Sequence, residues 1–235
     1  MELGKKGRGC PVEIEFSANL AGSEGKKGAF YFLQMRPMAG NIDGTEVNID
    51  EAGLDSALIF STQALGNGLH CRICDIVYVR PDAFQSSVTK RIASEIGRIN
   101  AELVKEDRPY LLIGPGRWGT ADPWLGIPVR WADISGVGAM VELRNSQLNA
   151  DPSEGSHFFQ NITSLGIPYM TVSEGGEDFI RWKQIEQLPD IKKTAFLRHV
   201  RLNDPLVVKI DGRRSMSAVH LSSSPQAEAI QARDC

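Results

Sequence analysis

Apolar and polar residues alternate over 12–38, on either side of a polar, glycine-rich stretch from Ala21 to Gly28. Alternation of period two is what a half-buried strand requires, so this region predicts two strands joined by a long hairpin loop, with Pro37 closing the second. A short apolar run at 58–65 stops at Gly66-Asn67-Gly68 and predicts a helix, followed by a strand over 69–79. Next, Val88, Ile92, Ile96, Ile99 and Leu103 recur every three or four residues, with Lys90, Arg91, Glu95, Arg98 and Glu102 between them. That spacing sets one apolar stripe on an amphipathic helix.

Past Pro109, an almost wholly apolar run at 110–113 stops at Gly114-Pro115-Gly116, as a strand buried on both faces does. A second unit reads as a strand at 138–143, a helix from about Ser156 to Leu165 ended by Gly166, and a strand at 167–172. Strand, helix and strand in succession imply parallel pairing with right-handed crossovers. Farther on, 195–202, 206–210 and 216–221 are short β-rich runs set apart by Asn203-Asp204-Pro205 and Asp211-Gly212, which predicts antiparallel hairpins. The fold class is therefore α/β. We expect a hairpin unit over 1–40, a polar linker over 41–55, an α/β domain over 56–221 with a mainly parallel sheet and C-terminal antiparallel hairpins, and a disordered tail over 222–235.

Composition narrows the partners. The 235 residues are 42% hydrophobic and 23% charged with a formal net charge of −3, which argues against a general polyanion-binding surface; no nucleic-acid partner is expected. No run approaches the roughly 20 apolar residues of a membrane span, and the start Met1-Glu2-Leu3-Gly4-Lys5-Lys6 lacks an apolar signal core. The expectation is a cytoplasmic protein with no membrane partner. Four cysteines make no disulfide framework and point to a reducing compartment. Cys71 and Cys74, three apart on a strand, face opposite sides and read as two half-buried thiols rather than a metal or redox pair.

Candidate chemistry begins in the first hairpin. Period-two geometry sets Glu13 and Glu15 on one face of their strand, and Gln34 and Arg36 on one face of the other. Carboxylate and amide oxygens suit Mg2+, and a guanidinium forks onto phosphate oxygens, which is the chemistry of a triphosphate site. The same residues equally suit cross-strand ion pairing on a solvated face, each pair contributing less than about 1 kcal/mol.

The run Val12-Glu13-Ile14-Glu15-Phe16, followed by Tyr31-Phe32-Leu33-Gln34-Met35-Arg36-Pro37, resembles the closing hairpin of the ATP-grasp domain in phosphoenolpyruvate synthases and pyruvate phosphate dikinases. The resemblance covers roughly 30 residues, and the loop after Asn19 is longer than the family's usual turn. It implies ATP and Mg2+ as cofactors, with Glu15 and Gln34 on the metal and Arg36, the catalytic candidate, on the transferred phosphates. It also implies partners: upstream ATP-grasp lobes, on the same longer chain or another, and a small-molecule phosphoryl acceptor. The family's phosphohistidine motif, G-G-x-T-S-H-x-A, does not occur in the sequence. The expectation is the C-terminal part of an ATP-dependent phosphotransferase (kinase), a fragment or subunit inactive alone.

A second candidate is Leu111-Leu112-Ile113-Gly114-Pro115-Gly116-Arg117-Trp118-Gly119-Thr120. Ligands of open α/β sheets bind beyond the carboxyl ends of strands, where glycine N–H groups can approach an anion. Gly114, Gly116 and Arg117 are thus candidate ligand contacts, with Trp118 or Trp124 stacking on a ring; a structural tight turn is the other reading. Together with 122–129, this run is similar to one found downstream of ATP-grasp hairpins in large bacterial proteins of the pyruvate phosphate dikinase type. His157, near the expected helix start at Ser156, reads either as a phosphorylatable imidazole or as a packed residue behind a capping serine. An alternative to the phosphotransferase is a non-catalytic module that binds a phosphate or nucleotide ligand at 114–120; a third reading is a scaffold with no ligand.

Overall fold

The computed structural model describes residues 12–19, 28–37, 47–144, 162 and 165–224. The chain divides into two units, Met1–Gly40 and Asn41–Cys235. In the first, β1 (Val12–Asn19) pairs with β2 (Ala29–Pro37) as a two-stranded antiparallel ribbon.

The second unit is built on a mixed sheet of ten strands. Its chain begins with a short helix α1 (Glu51–Leu54), then β3 (Ala57–Ser61), β4 (Gln63–Leu65) and β5 (Gly68–Val79). Helix α2 (Thr89–Lys105) crosses to β6 (Tyr110–Pro115). A small parallel pair, β7 (Arg117–Trp118) and β8 (Gly126–Ile127), precedes β9 (Val137–Arg144) and β10 (Tyr169–Ser173). The remainder comprises β11 (Phe179–Ile180), helix α3 (Trp182–Gln187), β12 (Asp190–Lys193), β13 (Leu197–Asp211) and β14 (Met216–His220). The large sheet runs β11-β3-β14-β13-β5-β6-β9-β10-β4, with β12 also on β13.

Three expectations about the elements are corrected here. The run at 58–65 is not a helix but β3 and β4, because Ala57–Ser61 is buried on both faces and a short run of that kind carries no period to separate strand from helix. The sheet is mixed rather than mainly parallel. Only β5–β6, β6–β9 and β9–β10 pair in parallel, whereas the C-terminal strands join the same sheet antiparallel. The expected turn at Asn203-Asp204-Pro205 lies inside the single long strand β13, at a break in its register with β5 between Arg201 and Leu206. Proline has no N–H to give a ladder, and such a break is where a strand tolerates it.

One residue, Thr62, separates β3 from β4. β3 pairs with β14 near one end of the sheet and β4 with β10 at the other, so the sheet returns on itself. Asp178 holds the bend: one carboxylate oxygen accepts from both Thr62 N–H and Thr62 Oγ1 at 2.8 Å, and the other from Ser173 N–H at 3.0 Å. The Ser61 hydroxyl also donates across to the Thr171 carbonyl.

Curling gives the sheet two apolar faces. One packs Ile59, Ile76, Leu111, Val141, Met170 and Val208 together, and the other packs Val77, Leu112, Met140 and Leu197 against Ile92, Ile96, Ile99 and Leu103 of α2. Successive residues Ile76 and Val77 thus serve opposite cores, which is why the middle of the sheet reads as unbroken apolar runs. A third cluster sets Val47 and Ile49 over Ala57, Phe60 and Ala218. No helix among the described residues is long and apolar enough to cross a membrane. Of the C-x-x-C pair, Cys74 is a free, half-buried thiol as expected, but Cys71 is disulfide-bonded, which corrects the reading of two thiols.

Adjacent residues of α2 should respond in opposite directions. Ile96 is fully buried, so Ile96→Ala should cost about 2–5 kcal/mol in urea unfolding. A methyl at Gly97 would meet only Asp133, at 3.5 Å, so Gly97→Ala should stabilise by about 0.5–1 kcal/mol. Asp178→Ala should cost about 1–3 kcal/mol and speed amide exchange at Thr62 and Ser173; unchanged protection there would count against the bend as a closure point.

Candidate functional site

In the first unit the antiparallel register sets Glu13 opposite Arg36 and Glu15 opposite Gln34. Side chains of directly opposed residues share a face, so the Glu15 carboxylate and Gln34 amide, both exposed, lie side by side. Between Glu15 and Phe16 the register slips: Phe16 opposes Phe32, and Leu33 is the extra residue. That bulge inverts the facing of the rest of β2. Without it Phe30 and Phe32 would lie on the Gln34 side; with it they join Phe16, and the Phe16 and Phe30 rings stack at 4.8 Å. One side of the ribbon is therefore polar around Glu15 and Gln34, and the other is aromatic.

The glycine-rich loop is organised differently from the expected anion cradle. Gly116 takes φ 65°, a left-handed conformation suited to glycine, and its N–H donates to the Leu143 carbonyl at 2.8 Å. The N–H groups of Arg117 and Gly119 donate to Leu125 and Ile127 carbonyls, and that of Trp118 to Glu142 Oε1. Donors that would have met an anion are thus already spent on the protein. Trp118 is buried with its indole N–H on the Val141 carbonyl, and a Cβ at Gly114 would fall 2.4 Å from its ring, so Gly114 makes room for Trp118. Arg117 is half-buried and engaged within the protein. Gly114, Gly116 and Arg117, the expected ligand contacts, sit in a packed turn; Trp118 is a core residue, whereas Trp124 is exposed. His157 lies outside the described residues.

Two buried polar clusters had no signal in the sequence. Glu142 Oε2 accepts from the Tyr169 hydroxyl at 2.6 Å, which ties β9 to β10 behind Trp118. Asp75 on β5 is fully buried and accepts from Arg108 Nε at 2.7 Å, Arg201 Nε at 2.8 Å and His199 Nε2 at 2.7 Å. Burial pushes the Asp75 carboxyl up, but hydrogen bonds from His199, Arg201 and Arg108 outweigh it and hold the group below the usual carboxylate range. On the other flank of the sheet, burial and then the Lys209 charge hold the His220 imidazole down at about 4, so it is neutral at pH 7 beside Ser56. Among the described residues no cluster of His, Cys, Asp or Glu could hold a metal ion.

A carboxylate with a lower pKa folded than unfolded stabilises fully above its unfolded value, roughly 4, and that contribution disappears as pH falls through the folded value. Asp75→Asn should therefore cost about 3–5 kcal/mol at pH 7. It should also flatten the loss of stability below about pH 4, measured as the urea midpoint against pH. A mutant acid limb as steep as the wild-type one would assign that limb to other groups. Comparison with family models, curated proteins and solved structures finds no match to the chain.

Proposed function

We propose that the chain is the C-terminal part of an ATP-dependent phosphotransferase of the phosphoenolpyruvate synthase and pyruvate phosphate dikinase type, acting in the cytoplasm on a small-molecule acceptor. The observation that carries this reading is the ribbon register, in which Glu15 stands directly opposite Gln34 and Glu13 opposite Arg36. The donor set fits the cofactors: carboxylate and amide oxygens are hard ligands for Mg2+, and a guanidinium is a bidentate partner for phosphate. In this reading Mg2+ supplies charge neutralisation of the polyphosphate when bound, Glu15 and Gln34 orient it, and Arg36 holds the phosphates in line. The bulge after Glu15 supports the same division of labour, since it gives the ribbon an aromatic side to pack on the upstream ATP-grasp lobes and a polar side for nucleotide.

The alternative, a non-catalytic phosphate-binding module, draws no support from the loop at 114–120 but does from a basic groove along α2, described below. The decisive measurement for the leading reading is calorimetric titration with Mg-ATP. At the hairpin the isolated chain should bind weakly or not at all, as read in a Lys90→Ala/Arg98→Ala background that removes the α2 groove. Joined to an upstream ATP-grasp region it should bind, and Arg36→Ala should weaken that binding about 10- to 100-fold, as loss of a charge-assisted hydrogen bond does. Undiminished affinity in the joined Arg36→Ala protein would refute the assignment.

A further inference from the structure

Helix α2 runs beside the segment from Pro128 to Asp133, and a groove of about 590 Å3 lies between them, lined among others by Lys90, Ser94, Gly97, Arg98, Arg130 and Asp133. Lys90, Ser94 and Arg98 are four apart, so they form one row along the helix: an ammonium, a hydroxyl and a guanidinium. The neighbouring lining residues on the helix, Ala93, Gly97 and Ala101, are small and leave the space open. No aromatic or large aliphatic side chain lines the groove, which separates it from an ordinary apolar ligand pocket.

Its charge is unbalanced. Asp133, the one acid of the lining, is taken by Arg130, whose Nε and Nη2 both reach its carboxylate at 3.2 Å. Lys90 and Arg98 remain, and neither makes an ion pair or hydrogen bond among the described residues. The chain as a whole carries −3, so this local excess of cations runs against the bulk charge. Eight residues at about 1.5 Å each separate Lys90 from Arg98 along the axis by about 12 Å, with the Ser94 hydroxyl between them. That spacing suits a chain of phosphates, with ammonium as point charge, guanidinium as fork and hydroxyl as an added donor.

We propose that this groove binds the phosphate chain of a small molecule, an oligophosphate such as a nucleoside di- or triphosphate, through Lys90, Ser94 and Arg98. It is a binding site and not a catalytic one, and it does not rest on the reading of the first hairpin.

The test is calorimetric titration of the whole chain with inorganic triphosphate in chelator-containing, metal-free buffer, where a magnesium-dependent site stays silent. We expect saturable binding to one site. Lys90→Ala with Arg98→Ala should weaken it about tenfold or more, and added salt should weaken it further. Both side chains are exposed, so the double variant keeps its fold, which a circular-dichroism melt verifies. Ala101→Phe, which fills the groove without changing charge, should also reduce binding. As a control, Arg72→Ala with Lys105→Ala removes two exposed cations outside the lining and should leave binding intact. An unaffected Lys90/Arg98 double variant, or an equal loss in the control pair, overturns the site. Capture of an acidic peptide by the wild type, with no response to triphosphate, overturns the oligophosphate as its occupant.

Discussion

The second unit holds its shape because one bend in the chain lets a single stretch pair at both ends of the same sheet. Asp178 is the agent of that constraint, since its two oxygens bond the backbone at Thr62 and at Ser173 and bring β3, β4 and the end of β10 to one point. With the sheet returned on itself, the apolar side chains of β5, β6, β9, β10 and β13 meet across an interior, and α2 needs to cover only part of the outside. The inner core follows from that closure, and the outer one from the packing of α2 on the sheet.

Local pattern was enough to read the elements whose periodicity is clean. The stripe Ile92, Ile96, Ile99 and Leu103 appears as α2, the alternation around Glu15 and Gln34 as β1 and β2, and the runs at Tyr110 and Gly138 as β6 and β9. Pattern failed where burial erased it. Leu58 to Phe60 face two cores at once, and β13 carries Asn203-Asp204-Pro205 through a register break that only its neighbour β5 reveals.

The candidate sites divide along the same line. The pairing of Glu15 with Gln34 follows from period two and one hairpin, both local facts. The bulge at Leu33 does not, because a ladder slip depends on the partner strand. Asp75 meets His199 and Arg201 only through the order of strands in the sheet, more than a hundred residues apart in the chain, so no motif spacing could announce it. The row Lys90, Ser94 and Arg98 follows from the four-residue period of α2, but the groove exists only because the distant segment from Pro128 to Asp133 lies beside it.

The curled sheet also governs how the molecule behaves in a crowd. A strand with unpaired backbone groups is a template for polymerisation, and closure through β3 and β4 removes most of that exposed rim. What the large sheet leaves at its margin among the described residues is short: β11, two residues long, β4, three residues long, and β12, four residues long with Lys192 and Lys193. Margins this brief, one of them bearing lysines, offer a second copy little to pair with, so the large sheet is guarded against edge-to-edge association.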